Sequence, residues 1–325
     1  MLRCILLSCS FLLMGNLLSA ADPLSSWNET ETKTKVMQFV GSITEEGGEQ
    51  YVAPEDRIAV FDNDGTLWCE QPFYNQLAFA LYRVHQLAPS HPEWNEKEPF
   101  RSVLNGDLKK VFASGEKGIL ALVAATHSGI TETEFKNAVM DWTNHSEHPR
   151  FKRSYLECVY QPQLELLAYL RANGFKTYIV SGGGIDFMRP WTEEVYGIPP
   201  EQVVGSSSKS SYEVREGVGV IVKQPELNFF DDKDGKPVGI QQHIGKRPIL
   251  AFGNSDGDFQ MLEYTTTGDG PRLGLLVHHD DTEREYAYDR DSHIGQLARG
   301  LDEAKARGWV IVSMKNDWNE VFPAE

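Results

Sequence analysis

The sequence predicts an α/β protein, with a mostly parallel sheet, helices on both faces and a mostly helical segment inserted near the start. Three observations carry that expectation. Short apolar runs, RIAVF (57–61), KTYIV (176–180), PILAFG (248–253), LGLLVHH (273–279) and WVIVSM (309–314), read as strands, and helical spacing separates them. Residues 72–159 carry helical periodicity and no strand pattern. Polar turns with glycine directly follow three of the apolar runs, where ligands gather at the carboxyl ends of such strands.

Taken in order, residues 30–40 read as a short helix and RIAVF as the first strand. Apolar positions recur at helical spacing from Tyr74 to Leu87, and helices are expected near 101–112, 116–126 and 131–141. Gln161 to Ala172 is helical until Gly174 stops it, and KTYIV follows as a strand. Beyond it come a helix from Phe187 to Tyr196, a strand start in QVVGSS, and a strand or hairpin in YEVREGVGVIVKQ. The short helix PVGIQQHI leads to the strand PILAFG, then the helix FQMLEYT and the strand LGLLVHH. A helix over IGQLARGLDEAKARG precedes WVIVSM, the last strand. The expected organisation is a first core part at 22–71, a helical cap at 72–159 and a second core part at 160–325.

The chain has 325 residues, 41% apolar and 24% charged, which suffices for a large core. Its formal net charge of −16 is spread over short clusters, which argues against non-specific binding to nucleic acid or anionic membranes. Arg3, a short interrupted apolar run, and the small residues Ser19, Ala20 and Ala21 read as a secretory signal over 1–21, cut after Ala20 or Ala21. A stable membrane anchor would need a longer run. The expected location is therefore periplasmic or secreted. Removing the signal leaves Cys69 and Cys158, either one bridge or two free thiols.

The chemistry sits in four segments. FDNDGTLW, 61–68, puts Asp62 and Asp64 two apart in a tight loop with Gly65, so both carboxylates can face one small volume. One carboxylate can attack phosphorus, and its neighbour can protonate the leaving oxygen and then activate water. SGGG, 181–184, offers the Ser181 hydroxyl and flexible amides such as that of Gly182 as a phosphate cradle. GNSDGD, 253–258, offers Asn254, Asp256 and Asp258, hard oxygen donors of the kind Mg²⁺ prefers. Lys236, at a helix start, can hold phosphoryl oxygens and a charged nucleophile together, with Lys223, Lys233 and Lys246 as alternatives.

These four ordered motifs resemble the haloacid dehalogenase-like superfamily, in its phosphatase branch near the phosphoserine phosphatases. DNDGT at 62–66 is similar to that family's opening motif, Ser181 to its second, the lysine to its third and GNSDGD to its acidic fourth. The resemblance implies a Rossmann-like core and a helical cap inserted after the first motif, matching 72–159. It implies that Asp62 is nucleophile and magnesium ligand, and that Asp64 is general acid/base with its backbone carbonyl on the metal. Ser181 and the neighbouring Gly182 amide would grip the phosphoryl group together with Lys236. Asp258 would support the metal or orient the lysine. Asn254 falls where the family usually has aspartate; its amide oxygen can still ligate, and Asp256 is the alternative.

The implied activity is Mg²⁺-dependent hydrolysis of a small phosphate monoester through an aspartyl-phosphate. The implied partner is a small phosphorylated metabolite, and nothing in the sequence points to a protein partner. A phosphotransferase or phosphomutase would share the four motifs, and a non-catalytic metal- or phosphate-binding protein is the reading from another class. Asp64 counts against a dehalogenase, which needs no acid/base there. Glu70 and Gln71 lie where they can face the ligand or simply form the junction, Trp68 can line the entrance but reads more as a packing residue, HHDD (278–281) can reach the rim or be a solvated turn, and Phe73, Tyr74, Leu77 and Phe79 read as cap core.

Overall fold

A computed structural model describes residues 21–324, so all but the last residue of the expected signal segment lies outside the described residues. The strands are β1 (Ile58–Phe61), β2 (Lys176–Gly184), β3 (Val203–Arg215), β4 (Val218–Phe229), β5 (Leu250–Gly253), β6 (Leu273–Asp280), β7 (Ala287–Tyr288) and β8 (Val310–Ser313). They form one sheet in the order β4-β3-β2-β1-β5-β6, with β7 and β8 both paired to β6. The pairings β1–β2, β1–β5, β2–β3, β5–β6 and β6–β8 are parallel, while β3–β4 and β6–β7 are antiparallel.

The central strands β1 and β5 are buried at every position, as parallel strands covered on both faces must be. Alternation along β1 divides its side chains: Ala59 and Phe61 join one core cluster, while Ile58 and Val60 join the other. A third cluster, around Val84, Trp94, Phe100 and Leu122, lies wholly within the inserted helical region. That region runs from the helix Asn75–Leu87 to the helix Glu132–His145. The latter starts at a capping box, in which Thr131 and Glu134 satisfy each other's backbone amides.

Several elements differ in extent from the expectation. The helix expected at 101–112 is two, Phe100–Leu104 and Leu108–Ala113, parted at Gly106, whose φ of 70° cannot continue a helix. The helix expected from Phe187 to Tyr196 is also two, Ile185–Met188 and Thr192–Tyr196, because Pro190 lacks the amide that would carry the turn. Residues 294–298 stand outside the helix Arg299–Arg307.

β3 and β4 form one long hairpin, turned at Glu216 and Gly217 with φ of 52° and 82°, the two positive values that suit a two-residue turn. The hairpin reaches the inserted region: Lys223 N donates to Ile130 O at 3.0 Å, and Gly129 N donates to Lys223 O at 2.9 Å. Cys69 and Cys158 are buried free thiols. Among the described residues, no helix is long and apolar enough to cross a membrane.

Candidate active site

The crevice opens at the carboxyl ends of β1, β2 and β5. Asp62 follows β1, and its amide donates to Phe252 O on β5 at 2.9 Å, continuing the ladder into the loop. Gly65 then turns the chain at a φ of 73°, and a Cβ there would stand 2.0 Å from Asn254 Nδ2. Only glycine permits this approach of the two loops. Asp64 is held from the same turn, where Trp68 Nε1 donates to its Oδ1 at 2.8 Å. Trp68 itself is fully buried, with its ring 4.7 Å from that of Trp191.

Lys236 organises the centre. It is 1% exposed, and its Nζ donates to Asp258 Oδ1 at 2.6 Å and to Val180 O at 3.0 Å. It also forms an ion pair with Asp62 Oδ1 at 2.7 Å. The other candidate lysines lie elsewhere. Lys223 pairs with Asp186 and Lys246 with Asp56, while Lys233 contributes its backbone amide to Gly257 O.

Asp258 has both oxygens engaged. Oδ1 accepts from Lys236, and Oδ2 accepts from the amides of Asn254 and Ser255 at 2.9 and 3.0 Å. Asp256 turns away from the crevice and accepts from the amides of Ala298, Arg299 and Gly300 at 2.8 to 3.1 Å, capping the helix Arg299–Arg307. Asn254 Oδ1 accepts from the Thr66 hydroxyl at 3.2 Å, and its Nδ2 donates to Glu70 Oε1 at 2.8 Å.

The SGGG segment is the irregular end of β2, with a register shift against β3 between Ser181 and Gly184. Ser181 Oγ accepts from Gly183 N at 3.1 Å. Gly183 lies beside the acid loop, since a Cβ on it would stand 3.3 Å from Asp64 Oδ2. Gly182 faces Asp232, at 3.6 Å by the same measure. Gly184 N donates to Gln76 Oε1 at 2.7 Å, and Gln76 Nε2 lies 3.2 Å from His127 Nε2. Two residues of the inserted region thus brace the segment.

Burial sets the titration of the acids. It pushes the Asp62 carboxyl up, helped by Asp258, while the Lys236 ammonium in contact with it favours the charged form. Burial raises Asp64 to about 6, against the Trp68 hydrogen bond and the Lys236 charge. Glu70 is raised well above the ordinary carboxylate range by burial and then by Asp64. Asp231, buried behind the segment with neither oxygen in a hydrogen bond, rises to about 7 by burial, against the Lys236 charge.

One ammonium therefore faces several buried carboxyl groups. Among the described residues, no three His, Cys, Asp or Glu side chains converge as a ready metal cage. The donor set implied by the motifs does not call for one, because it combines the Asp62 carboxylate with a backbone carbonyl and the Asn254 amide. That all-oxygen set and the excess of buried carboxyl groups over the single ammonium fit a hard cation such as Mg²⁺.

Several contributors had weak sequence signals. His279, in the stretch read as rim or solvated turn, is 2% exposed, and its Nε2 lies 2.8 Å from Gly65 O, bracing the acid loop from β6. Glu70 is a buried part of the site rather than a linker residue, and Trp68 packs in the core against Trp191 while its indole holds Asp64. Tyr74, read as cap core, is 43% exposed, whereas Leu77 and Phe79 are buried as expected.

The fold has counterparts among solved structures. A conserved protein of unknown function from Anaerococcus prevotii DSM 20548 is 17% identical, with 80% of this chain and 88% of that chain covered and a TM-score of 0.54. A protein of unknown function from Bordetella pertussis Tohama I is 15% identical, with 79% and 97% covered and a TM-score of 0.47. A probable phosphoserine phosphatase from Vibrio cholerae is 15% identical, with 80% and 67% covered and a TM-score of 0.37. At that identity, the likeness to the Anaerococcus prevotii protein is one of fold. Comparison with curated proteins found no match. The profile of the haloacid dehalogenase-like hydrolases matches residues 59–263, spanning the acid loop, SGGG, Lys236 and GNSDGD. The chain belongs to the haloacid dehalogenase-like hydrolase family.

Proposed function

We propose that the protein is a Mg²⁺-dependent phosphatase that hydrolyses a small phosphate monoester through an aspartyl-phosphate on Asp62. The observation that carries this reading is the pairing of two unlike carboxyls at one strand end: Asp62 lies 2.7 Å from the Lys236 ammonium, and Asp64 is held by Trp68. The ammonium in contact with Asp62 favours its charged form, the form that attacks, while Asp64 makes no ion pair among the described residues and can carry a proton.

Asp62, with the lysine favouring its charged form, attacks phosphorus in line, and the bond from phosphorus to the ester oxygen breaks. Asp64, raised to about 6 and so protonated in part near neutrality, gives its proton to the departing alkoxide. It then takes a proton from water as that water attacks phosphorus, releasing phosphate and regenerating Asp62. Ser181 and the Gly182 amide hold the phosphoryl oxygens, and Asp258 positions Lys236. Asp62, the Asp64 carbonyl and Asn254 would hold Mg²⁺, which neutralises charge on those oxygens. Residues 72–159 act as the cap over the two core parts and exclude bulk water. The signal-like segment 1–21 supports an exported enzyme, periplasmic or secreted, acting on soluble monoesters.

The test is phosphate release from a panel of small monoesters, with Mg²⁺, with chelator, and with Asp62→Asn in parallel. Metal-dependent turnover that the variant lacks is the expected result. No release from folded, Mg²⁺-supplied protein would defeat the reading, and consumption of the ester only when an alcohol acceptor is added, with a new ester formed instead of free phosphate, would replace it with phosphoryl transfer.

A further inference from the structure

Asn254 brings an oxygen to the crevice but no charge, and a divalent cation held in a buried site needs negative charge near it. Asp62 supplies one charge, and the carboxyl that touches the Asn254 side chain is Glu70. Its residue is 2% exposed, and both of its hydrogen bonds go to one oxygen, Oε1, from Asn254 Nδ2 at 2.8 Å and Tyr288 OH at 2.8 Å. Oε2 accepts none from the described residues.

The slot around that carboxyl is built from separate parts of the chain. A Cβ at Gly65 would stand 2.4 Å from Oε1 and one at Gly295 2.0 Å, so two glycines at positive φ clear the space. Asn75 Nδ2 donates to Cys69 O at 2.8 Å and fixes the preceding backbone. Tyr288 stacks on His279, ring centroids 4.3 Å apart, and His279 in turn holds Gly65 O. Nothing in the phosphoryl-transfer steps uses this assembly.

Its partners also decide which end of the Asn254 amide faces where. In its charged form, which a bound cation favours, the Glu70 carboxylate accepts only, so Nδ2 faces it, as observed, and Oδ1 is left toward Thr66 and the crevice. The geometry points to a divided metal ligand: Asn254 provides the oxygen, and Glu70, acting through the Asn254 amide, provides the orientation and the charge that bind the cation. Glu70 is thus a positioning residue, and the inference rests on the Mg²⁺-dependent reading above.

The test is Mg²⁺ titrated into the purified protein by calorimetry, with no substrate present. Glu70→Gln keeps the size of the side chain and an acceptor for Asn254 and Tyr288 while removing the charge. It should weaken Mg²⁺ binding roughly 10- to 100-fold, the usual consequence of losing a partner behind a metal ligand, without lowering the urea midpoint of the metal-free protein. The double variant Glu70→Gln/Asn254→Asp returns the charge to position 254 with the hydrogen bond reversed, and should recover most of the wild-type affinity whether or not the single variant folds. Wild-type affinity in Glu70→Gln, or a folded double variant that still binds weakly, would overturn the assignment and leave the phosphatase reading standing. A wild-type protein that takes up no Mg²⁺ would defeat both.

Discussion

Lys236 Nζ stands 2.6 Å from Asp258 Oδ1, and neither side chain is more than 2% exposed. A lysine so deep in the protein persists because its charge is compensated: burial alone would lower its affinity for the proton, but Asp258 and Asp62 together raise it above the ordinary value.

Replacing that lysine should therefore be costly. Lys236→Met removes one partner of a buried ion pair and leaves Asp258 and Val180 O without their donor. Loss of about 3–5 kcal/mol is expected, the usual range when one member of such a pair is removed. Urea unfolding at neutral pH measures it; a loss within the range of a surface substitution would show that the pair contributes little.

His127 makes the protein sensitive to acid. Burial, aided by the Lys223 and Arg83 charges, lowers this imidazole to about 3, and it sits between the Thr126 hydroxyl and Gln76. A folded value below the unfolded 6.5 means that the unfolded chain binds the proton more readily. The stability contributed by His127 is whole above about pH 6.5 and falls as pH drops toward 3, by about 1.4 kcal/mol per pH unit. The difference in unfolding free energy between wild type and His127→Gln, followed from pH 7 to pH 4.5, should show that slope. A difference independent of pH would contradict the burial of a neutral ring.

Asp256→Ala separates capping from metal binding within GNSDGD. Losing the carboxylate that accepts from Ala298, Arg299 and Gly300 should cost about 0.5–2 kcal/mol of stability, as the loss of a helix cap does. Mg²⁺ affinity should stay at the wild-type level. A marked fall in affinity with unchanged stability would return Asp256 to the metal.

The sequence made the central sheet readable because β1 and β5 are continuous apolar runs that end at the polar loops of the site. The strand ends bring Asp62, Asp64 and Ser181 to one place for the same reason, and Lys236 reaches Asp62 from the first turn of the helix Gly235–His243. Other features depend on contacts far apart in sequence. The role of Asp256 requires the helix start at 298–300, and the burial of His279 requires Gly65 to lie beneath it. The reach of the β3–β4 hairpin was obscured because Tyr212, Val214 and Val218 are exposed there, so no buried face imposed a clear alternation. The break at Pro190 was written in the sequence, and apolar spacing on either side masked it.

The central claim is that Asp62 becomes phosphorylated and Asp64 clears the phosphoryl group. The most direct measurement is mass spectrometry of Asp64→Asn protein, acid-quenched after mixing with Mg²⁺ and an aryl phosphate that the wild type hydrolyses, whose aryloxide leaves without a proton from Asp64. The account predicts one added phosphoryl group on the peptide containing Asp62, absent when Asp62→Asn is introduced as well. Wild-type turnover with no phosphoryl group on Asp62, or with the group on another residue, would contradict it.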